Sequence, residues 1–283
     1  MTYDNIEVSI TSAITLRGRH YRGGDRTPVL CLHGLTRNAK DFTDVAPQIA
    51  ALGHDVITAS FRGRGASDYD PDYLNYHPQT YCGDVLKVLD ALKAPEAIFV
   101  GTSLGGIVTM LVNESAPSRV KAAVLNDVGP ELAPEGVMRI AGYVGASAGP
   151  ATNLDEAAAR IKAINSVAFP DATEEDWRIF AKRTFRQAED ESWVLDYDPN
   201  IARALVELGA APDLWPAFES LKDRPTLVMR GARSDLLTPP IIDKMRDVHP
   251  VFHYTEVPRV GHAPMMTEPA AWNALAAFLG TLD

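Results

Sequence analysis

The sequence is poor in cysteine, has no excess of positive charge and contains no long apolar run. Only two of its 283 residues are cysteines, Cys31 and Cys82, too few for a disulfide framework or a cysteine-based metal cluster. Lysine and arginine number 27 against 37 acidic residues, which gives a formal net charge of −10. Surfaces that bind nucleic acids or anionic membranes carry the opposite sign. We therefore expect no nucleic-acid partner and no membrane partner.

Targeting signals are also missing from the sequence. It begins without the basic and apolar segments of a signal peptide, and no stretch approaches the length of a membrane span. We therefore expect a cytoplasmic protein, either a monomer or a homodimer. With 46% hydrophobic and 23% charged residues, the composition is that of an ordinary globular protein. The length suits one large α/β domain or one domain with an insertion.

The stretch Gly101–Gly105 combines the residues of a sharp turn between a strand and a helix. An apolar run at 97–100 precedes it, and an apolar helix candidate at 107–112 follows it. Glycines at both ends of the stretch let the backbone fold back tightly. Such a turn exposes the hydroxyl of Ser103 beside a helix N-terminus, where N–H groups stabilise a developing negative charge. We predict that Ser103 is a nucleophile.

A second Gly-x-Ser-x-Gly match occurs at Gly145–Gly149, around Ser147. Pro150 follows it directly, and no apolar helix candidate begins after it. Its serine therefore gains no helix N-terminus to stabilise a negative charge. We interpret this match as a flexible loop of small residues.

A nucleophilic serine needs a base to accept its proton. Of the seven histidines, His262 is the best candidate, because it lies in a loop directly after the last predicted strand, 251–257. His33 follows an earlier predicted strand, 28–32, and we interpret it as structural. We predict that His262 is the catalytic base.

The base in turn needs a carboxylate that fixes its tautomer and stabilises its charged form. Asp235 follows the predicted strand 226–230 and precedes His262, which gives the chain order Ser, Asp, His. Asp127 follows the predicted strand 121–126 and is the alternative. We predict Asp235 as the acid and retain Asp127 as its rival.

Two backbone N–H groups are expected to stabilise the oxyanion, those of Leu104 and Leu35. Gly34, directly before Leu35, permits a close approach of the backbone to Ser103. Arg37, beside this loop, is a candidate for contact with a substrate carboxylate, with a solvated arginine as the alternative. Trp193 is a candidate pocket residue, although we prefer to interpret it as a tryptophan that packs within the cap. The chemistry needs no metal and no organic cofactor, and the expected partner is a small-molecule substrate.

Strand–helix alternation organises most of the chain and is interrupted between 130 and 216. We predict an α/β fold with a mostly parallel central sheet, helices on both faces and a leading antiparallel hairpin. Residues 1–129 and 217–283 form its core domain, and 130–216 form an inserted helical cap. Ligands bind at the carboxyl ends of strands in such sheets, and the candidate catalytic residues all fall there.

The order Ser103, Asp235, His262, with a His-Gly loop upstream and an inserted cap, resembles the α/β-hydrolase superfamily in its serine esterase and lactonase branch. The loop 62–68 is similar to one that braces the first helices in several of its branches. The resemblance implies hydrolysis of a carboxylic ester or lactone of small to medium size through an acyl-enzyme. The epoxide-hydrolase and dehalogenase branches use an aspartate nucleophile, and Ser103 argues against those activities.

Three other functions are compatible with the same serine, histidine and aspartate. A C–C bond hydrolase of the meta-cleavage type and a cofactor-free perhydrolase or haloperoxidase share this catalytic set. A non-catalytic or slow ligand receptor is the alternative from a different class. Turnover of esters of increasing acyl length distinguishes these functions.

Overall fold

The computed structural model describes residues 2–145, 149–209 and 213–282. Ser147 and the centre of the second Gly-x-Ser-x-Gly match therefore lie outside the described residues. The strands of the described part are β1 (Tyr3–Ser9), β2 (Thr15–Tyr21), β3 (Arg26–Leu32), β4 (His54–Ala59), β5 (Ala97–Thr102), β6 (Val120–Asn126), β7 (Phe185–Gln187), β8 (Trp193–Leu195), β9 (Thr226–Gly231) and β10 (His253–Val257).

Helices alternate with most of these strands. They are α1 (Ala46–Ala51), α2 (Pro78–Ala91), α3 (Leu104–Ser115), α4 (Pro134–Tyr143), α5 (Leu154–Asn165), α6 (Glu174–Thr184), α7 (Asn200–Leu208), α8 (Trp215–Glu219), α9 (Pro239–Val248) and α10 (Pro269–Leu279). Short 3₁₀ helices occupy Ala39–Phe42, Tyr73–Asn75, Pro117–Arg119 and Ser220–Asp223.

Eight strands form one sheet in the order β1-β2-β4-β3-β5-β6-β9-β10. The strands from β4 to β10 in that order run parallel to one another, whereas β1 and β2 form an antiparallel hairpin at the edge. The predicted α/β class, the mostly parallel sheet and the leading hairpin are confirmed. Because the parallel strands end at one edge, Ser103, Asp127 and the loop after β10 come close together.

The central strands are buried on both faces, which explains their continuous apolar sequences. Successive side chains of a strand point to opposite faces, so Leu30 packs on one side of β3 and Val29 on the other. Helices α2, α3, α8 and α9 cover the first side. Helices α1 and α10 cover the second side. The core of the protein therefore consists of two apolar layers with the sheet between them.

Helices α4 to α8 and the hairpin of β7 and β8 fall between β6 and β9. Helices α5 and α6 have an apolar cluster of their own, in which Trp177 and Ile161 are buried. A capping box begins α6: the side chain of Thr173 accepts from the N–H of Asp176, and the carboxylate of Asp176 accepts from the N–H of Thr173. Helix α5 is capped by Asn153, whose side chain accepts from the N–H of Glu156. The domain boundaries at 130 and 216 stay predictions.

The loop after β4 connects the sheet to the segment between β6 and β9. The buried guanidinium of Arg62 forms ion pairs with Asp70 and with Asp84 of α2, the latter at 2.6 Å. The N–H of Gly65 donates to the carbonyl of Asp196 at 2.8 Å, and that of Asp198 donates to the carbonyl of Gly63 at 2.7 Å. This loop therefore braces the fold, as the resemblance of residues 62–68 implied.

The structure refines the predicted elements in two places. The helix that strand–helix alternation predicts between β3 and β4 is a 3₁₀ turn, Ala39–Phe42, followed by the short α1. Pro47 stands in the first turn of α1, where proline is tolerated. Strands β7 and β8 were absent from the sequence prediction. Among the described residues, no helix combines the length and the apolar character needed to cross a membrane.

Candidate active site

Ser103 lies at the turn between β5 and α3, with a backbone φ of +52°. Non-glycine residues rarely adopt positive φ, and they do so at sharp functional turns. The surrounding glycines make the turn possible: a Cβ on Gly101 would lie 2.4 Å from the carbonyl oxygen of Gly105, and one on Gly105 would lie 2.1 Å from that of Leu32. The sequence thus folds into the predicted turn because no side chain obstructs it.

His262 connects Ser103 to a carboxylate. Its Nε2 lies 3.0 Å from Oγ of Ser103, and its Nδ1 lies 2.8 Å from Oδ2 of Asp127. The carboxylate of Asp127 accepts two further hydrogen bonds, from the N–H of Gly231 at 2.7 Å and from the hydroxyl of Ser234 at 2.6 Å. Asp127 is completely buried. A buried carboxylate with these partners holds the imidazole in the tautomer whose Nε2 faces the serine.

The prediction that Asp235 holds His262 is wrong, and Asp127 occupies that place. Asp235 follows β9 as predicted, but Arg139 of α4 binds both of its oxygens, at 2.5 and 2.8 Å. This hydrogen-bonded guanidinium lowers the pKa of Asp235. The side chain of Asp235 is 36% exposed, whereas that of Asp127 is fully enclosed. Asp127, which lies in a turn of its own at φ +56°, is instead held against Nδ1 of His262 by the hydrogen bonds from Gly231 and Ser234.

The loop His33–Leu35 lies against the nucleophile turn, as predicted. The carbonyl of Gly34 accepts from Nδ1 of His33 at 2.8 Å and from the N–H of Arg37 at 3.2 Å. The carbonyl of Gly34 and the N–H of Leu35 belong to the same peptide group, and in a trans peptide these two groups point in opposite directions. The bonds to the carbonyl therefore also fix the direction of the N–H of Leu35. Within the described chain, the N–H groups of Leu35 and Leu104 have no protein acceptor. Both are therefore available to an oxyanion.

His33 itself has a structural environment. Its Nε2 accepts from the N–H of Phe61 at 3.0 Å, and the ring is fully buried. Burial lowers the pKa of His33 to about 3. The imidazole is therefore neutral at physiological pH, with a proton on Nδ1 for the carbonyl of Gly34.

Asn126 joins the two loops of the site, and the sequence analysis did not single it out. Its side-chain amide donates to the hydroxyl of Thr102 at 3.0 Å and to the carbonyl of Pro264 at 2.8 Å. Its backbone carbonyl accepts from the N–H of Ser103 at 3.1 Å. The sequence signal was its position, directly before Asp127 at the end of an apolar strand. Ser234 and Arg139 were also missed, and nothing in their local sequence distinguishes them.

A pocket with a volume of about 90 Å³ opens beside Ser103 and His262. Arg37 lines it, but its guanidinium is already bound by Asp41 at 2.8 Å, donates to the hydroxyl of Thr184 and stacks 4.1 Å from the ring centre of Phe180. Its role toward a substrate carboxylate stays a prediction. Trp193 does not line the pocket and packs against the cluster of α5 and α6, so its expected pocket role is wrong. Ile140 and Tyr143 of α4 complete one wall.

The described residues around Ser103 do not form a metal site. In residues 2–145, 149–209 and 213–282, no group of three or more His, Cys, Asp or Glu side chains is arranged to hold a metal ion. Both cysteines are buried thiols, and burial raises their pKa values.

Comparisons with known proteins agree with the observed fold. A model of the alpha/beta hydrolase family matches residues 29–275. The chain is 34% identical over 251 residues to a 3-hydroxybutyrate-oligomer hydrolase of Cupriavidus necator, covering 86% of this chain and 84% of that protein. It is 28% identical over 221 residues to an esterase of Mycobacterium tuberculosis, covering 76% and 70%. A crystal structure of an alpha/beta hydrolase from Novosphingobium aromaticivorans superposes with a TM-score of 0.92 at 39% identity, covering 98% of each chain.

Proposed function

Because this chain belongs to the alpha/beta hydrolase family, we propose that it hydrolyses a carboxylic ester or lactone through an acyl-enzyme formed on Ser103. The observation that carries the proposal is the continuous set of hydrogen bonds from Ser103 through His262 to Asp127. This set is the one that activates a serine hydroxyl for attack on a carbonyl.

In the first step, Oγ of Ser103 attacks the ester carbonyl while Nε2 of His262 takes its proton. Asp127 stabilises the imidazolium that forms and remains ionised. The negative charge that develops on the carbonyl oxygen is stabilised by the N–H groups of Leu35 and Leu104. As the tetrahedral intermediate collapses, His262 returns the proton to the leaving alcohol, and the acyl group stays on Ser103.

In the second step, a water molecule takes the position vacated by the alcohol. His262 accepts a proton from that water as its oxygen attacks the acyl carbonyl. The second intermediate collapses, the proton returns to Oγ of Ser103, and the carboxylic acid is released. A lactone follows the same steps, except that its alcohol and acid remain in one molecule.

The similarity to relatives named as an oligomer hydrolase and as an esterase supports ester bonds as the target. Oligomers of a hydroxy acid are themselves joined by carboxylic esters, so short oligoesters belong to the proposed substrate class. The segment between β6 and β9 acts as the cap over Ser103 in this proposal, since Ile140, Tyr143, Asn165, Phe169 and Phe180 line the pocket.

Hydrolysis of the p-nitrophenyl esters of acetate, butyrate and octanoate tests the proposal. We expect multiple turnovers with the wild-type protein and a loss of kcat of ~10⁶-fold in Ser103→Ala, because removing a triad serine eliminates the covalent route. Ser115→Ala is the matched control. It makes the same change at an exposed position at the other end of α3 and should leave kcat unchanged.

Two results would contradict the proposal. A single sub-stoichiometric burst without turnover would instead indicate a ligand receptor. Turnover that survives in Ser103→Ala would place the reaction elsewhere in the molecule.

A further inference from the structure

A second cavity lies against the Ser103 pocket. It has a volume of about 320 Å³, compared with about 90 Å³ for the pocket at Ser103. Phe169, Phe180 and Met265 line both spaces. These three side chains therefore form a partition between the Ser103 pocket and the second space, which we call the outer cavity.

The two volumes indicate which part of a substrate fits into each space. The Ser103 pocket has less than a third of the volume of the outer cavity. Ligand pockets in proteins usually measure about 300–1,000 Å³, and the outer cavity falls in that range. The Ser103 pocket thus has room for the reacting ester group, and the outer cavity has room for a chain attached to it.

The partition is built from side chains, so it can open without moving the sheet. The rings of Phe169 and Phe180 meet edge to face with 6.0 Å between their centres. On the pocket side, the guanidinium of Arg37 stacks 4.1 Å from the centre of the Phe180 ring. Contacts of these two kinds are weak compared with a ladder of backbone hydrogen bonds. Rotation of Phe180 would join the two spaces.

The outer cavity has apolar walls and an acidic rim. Trp177, Ile179 and Val260 contribute apolar surface beside the partition. The charged side chains on its lining are the acids Asp44, Asp171, Asp176 and Glu268 and the bases Arg183 and Arg259. The two bases are engaged in ion pairs with Asp44 and Asp171, which leaves an excess of negative charge. Such a lining disfavours an anionic chain.

Glu268 adds a specific polar feature to this lining. One of its oxygens accepts from the N–H of Met265 at 2.9 Å. Its other oxygen, Oε2, is enclosed and has no hydrogen-bond partner among the described residues. Because Oε2 is closed off from solvent, it is not an acceptor for a chain in the outer cavity, and Glu268 acts on a bound chain through its negative charge.

We propose that the outer cavity is a substrate subsite for an uncharged chain attached to the ester cleaved at Ser103. The partition of Phe169, Phe180 and Met265 sets the chain length that is accepted, and the acidic lining disfavours a chain that ends in an anion. The inference rests on the proposed function. The chain belongs to either the acyl or the alcohol part of the same ester, because both parts are attached to the reacting carbonyl carbon.

Chain length is tested by kcat/KM for two series of esters, one lengthened in the acyl part and one in the alcohol part. Phe180→Ala should raise the ratio of long to short substrates by about tenfold in one of the series, because it opens the partition. Phe180→Trp should lower the same ratio. Opposite shifts in the two variants exclude a general folding defect. The matched control is Phe252→Ala, which removes a ring that packs against Phe218 and His249, away from both cavities.

The chemistry of the chain is tested with three esters of equal length that end in a methyl, a hydroxyl or a carboxylate group. We expect the methyl-terminated and hydroxyl-terminated esters to be hydrolysed faster than the carboxylate-terminated ester, because only the last carries a negative charge into the acidic lining. Glu268→Gln should reduce the penalty on the carboxylate-terminated ester, because it removes one negative charge from the lining. Equal rates for the hydroxyl and carboxylate esters would overturn the proposed chain.

Labelling of Ser103 by ethyl and decyl fluorophosphonates separates this inference from the proposed function. In that reaction Oγ bonds to phosphorus, fluoride leaves and the proton passes to His262, so no ester turnover is needed. If labelling occurs without ester hydrolysis, the proposed function fails, and the ratio of decyl to ethyl labelling still tests the partition. A ratio unchanged in both Phe180 variants, for labelling and for esters alike, would overturn the subsite.

Discussion

The loops after β6 and β9 offer the same residue to His262, an aspartate at the end of a parallel strand, and the two aspartates have different partners. Asp127 is enclosed and bonded to His262, Gly231 and Ser234. Asp235 is partly exposed, and Arg139 engages both of its oxygens. Position at a strand end therefore selects candidates, and the groups that surround each carboxylate decide its role.

The two loops also differ in how firmly they are fixed. The end of β6 is tied to the nucleophile turn and to the His262 loop through Asn126. The carboxylate of Asp235 is tied to α4, which belongs to the segment between β6 and β9. A catalytic carboxylate benefits from a rigid attachment to the sheet, and Asp127 has that attachment.

The most severe test of this comparison replaces each aspartate by asparagine. In Asp127→Asn, the amide favours the wrong tautomer of His262, and we expect kcat to fall by ~10⁴-fold. In Asp235→Asn, His262 keeps its partner, and kcat should stay close to that of the wild type. Steady-state hydrolysis of a p-nitrophenyl ester measures both. The reverse order of effects would restore Asp235 as the acid.

A smaller effect is expected for the residue before Asp127. Asn126→Ala removes the bonds that align the serine and histidine loops, so kcat should fall on the order of 10–100-fold with little change in KM. Asn113→Ala is the matched control, because Asn113 is also a buried asparagine whose amide ties two segments, here α3 and Ser220. Equal losses of kcat in the two variants would show that Asn126 acts only through stability.

The smallest effect concerns the ion pair of Asp235 with Arg139 and its dependence on pH. The pKa of Asp235 is below its ordinary value of 3.8 in the folded protein, so the pair stabilises the fold above that pH. This contribution is lost as the pH falls through the folded-state pKa. Asp235→Asn should lower the free energy of unfolding at pH 7 by about 1 kcal/mol or less, since the pair is partly exposed.

Denaturant unfolding of the wild type and of Asp235→Asn, measured from pH 7 down to strong acid, checks this prediction. The difference in unfolding free energy should shrink on the acid side. A difference that persists at the lowest pH would mean that the substitution acts through packing rather than through charge.

Sequence reasoning reached the fold and much of the site. The alternation of apolar strands and helices predicted the parallel sheet, and the glycines around Ser103 predicted the turn that the structure contains. His262 was found because a loop after the last strand reaches the same edge of the sheet. These features depend on local sequence and on the regular geometry of parallel sheets.

The remaining features depend on contacts between distant parts of the chain. The choice between Asp127 and Asp235 depends on contacts over long sequence separations: Arg139 binds Asp235 from 96 residues away, and His262 binds Asp127 from 135 residues away. Strands β7 and β8 have three residues each, too short for a periodic pattern. The outer cavity exists only where the loop around Phe169 meets the loop around Met265.

The hydrogen bond between the loop of His262 and the segment after α5 has a mechanical consequence. The N–H of Gly261, next to His262, donates to the carbonyl of Ala168 at 2.6 Å. Any outward swing of α5 must break this bond or pull the histidine away from the serine. The position of the segment after α5 and the position of His262 are therefore coupled through one backbone hydrogen bond, and a ligand that displaces this segment either breaks that bond or lengthens the distance between His262 and Ser103.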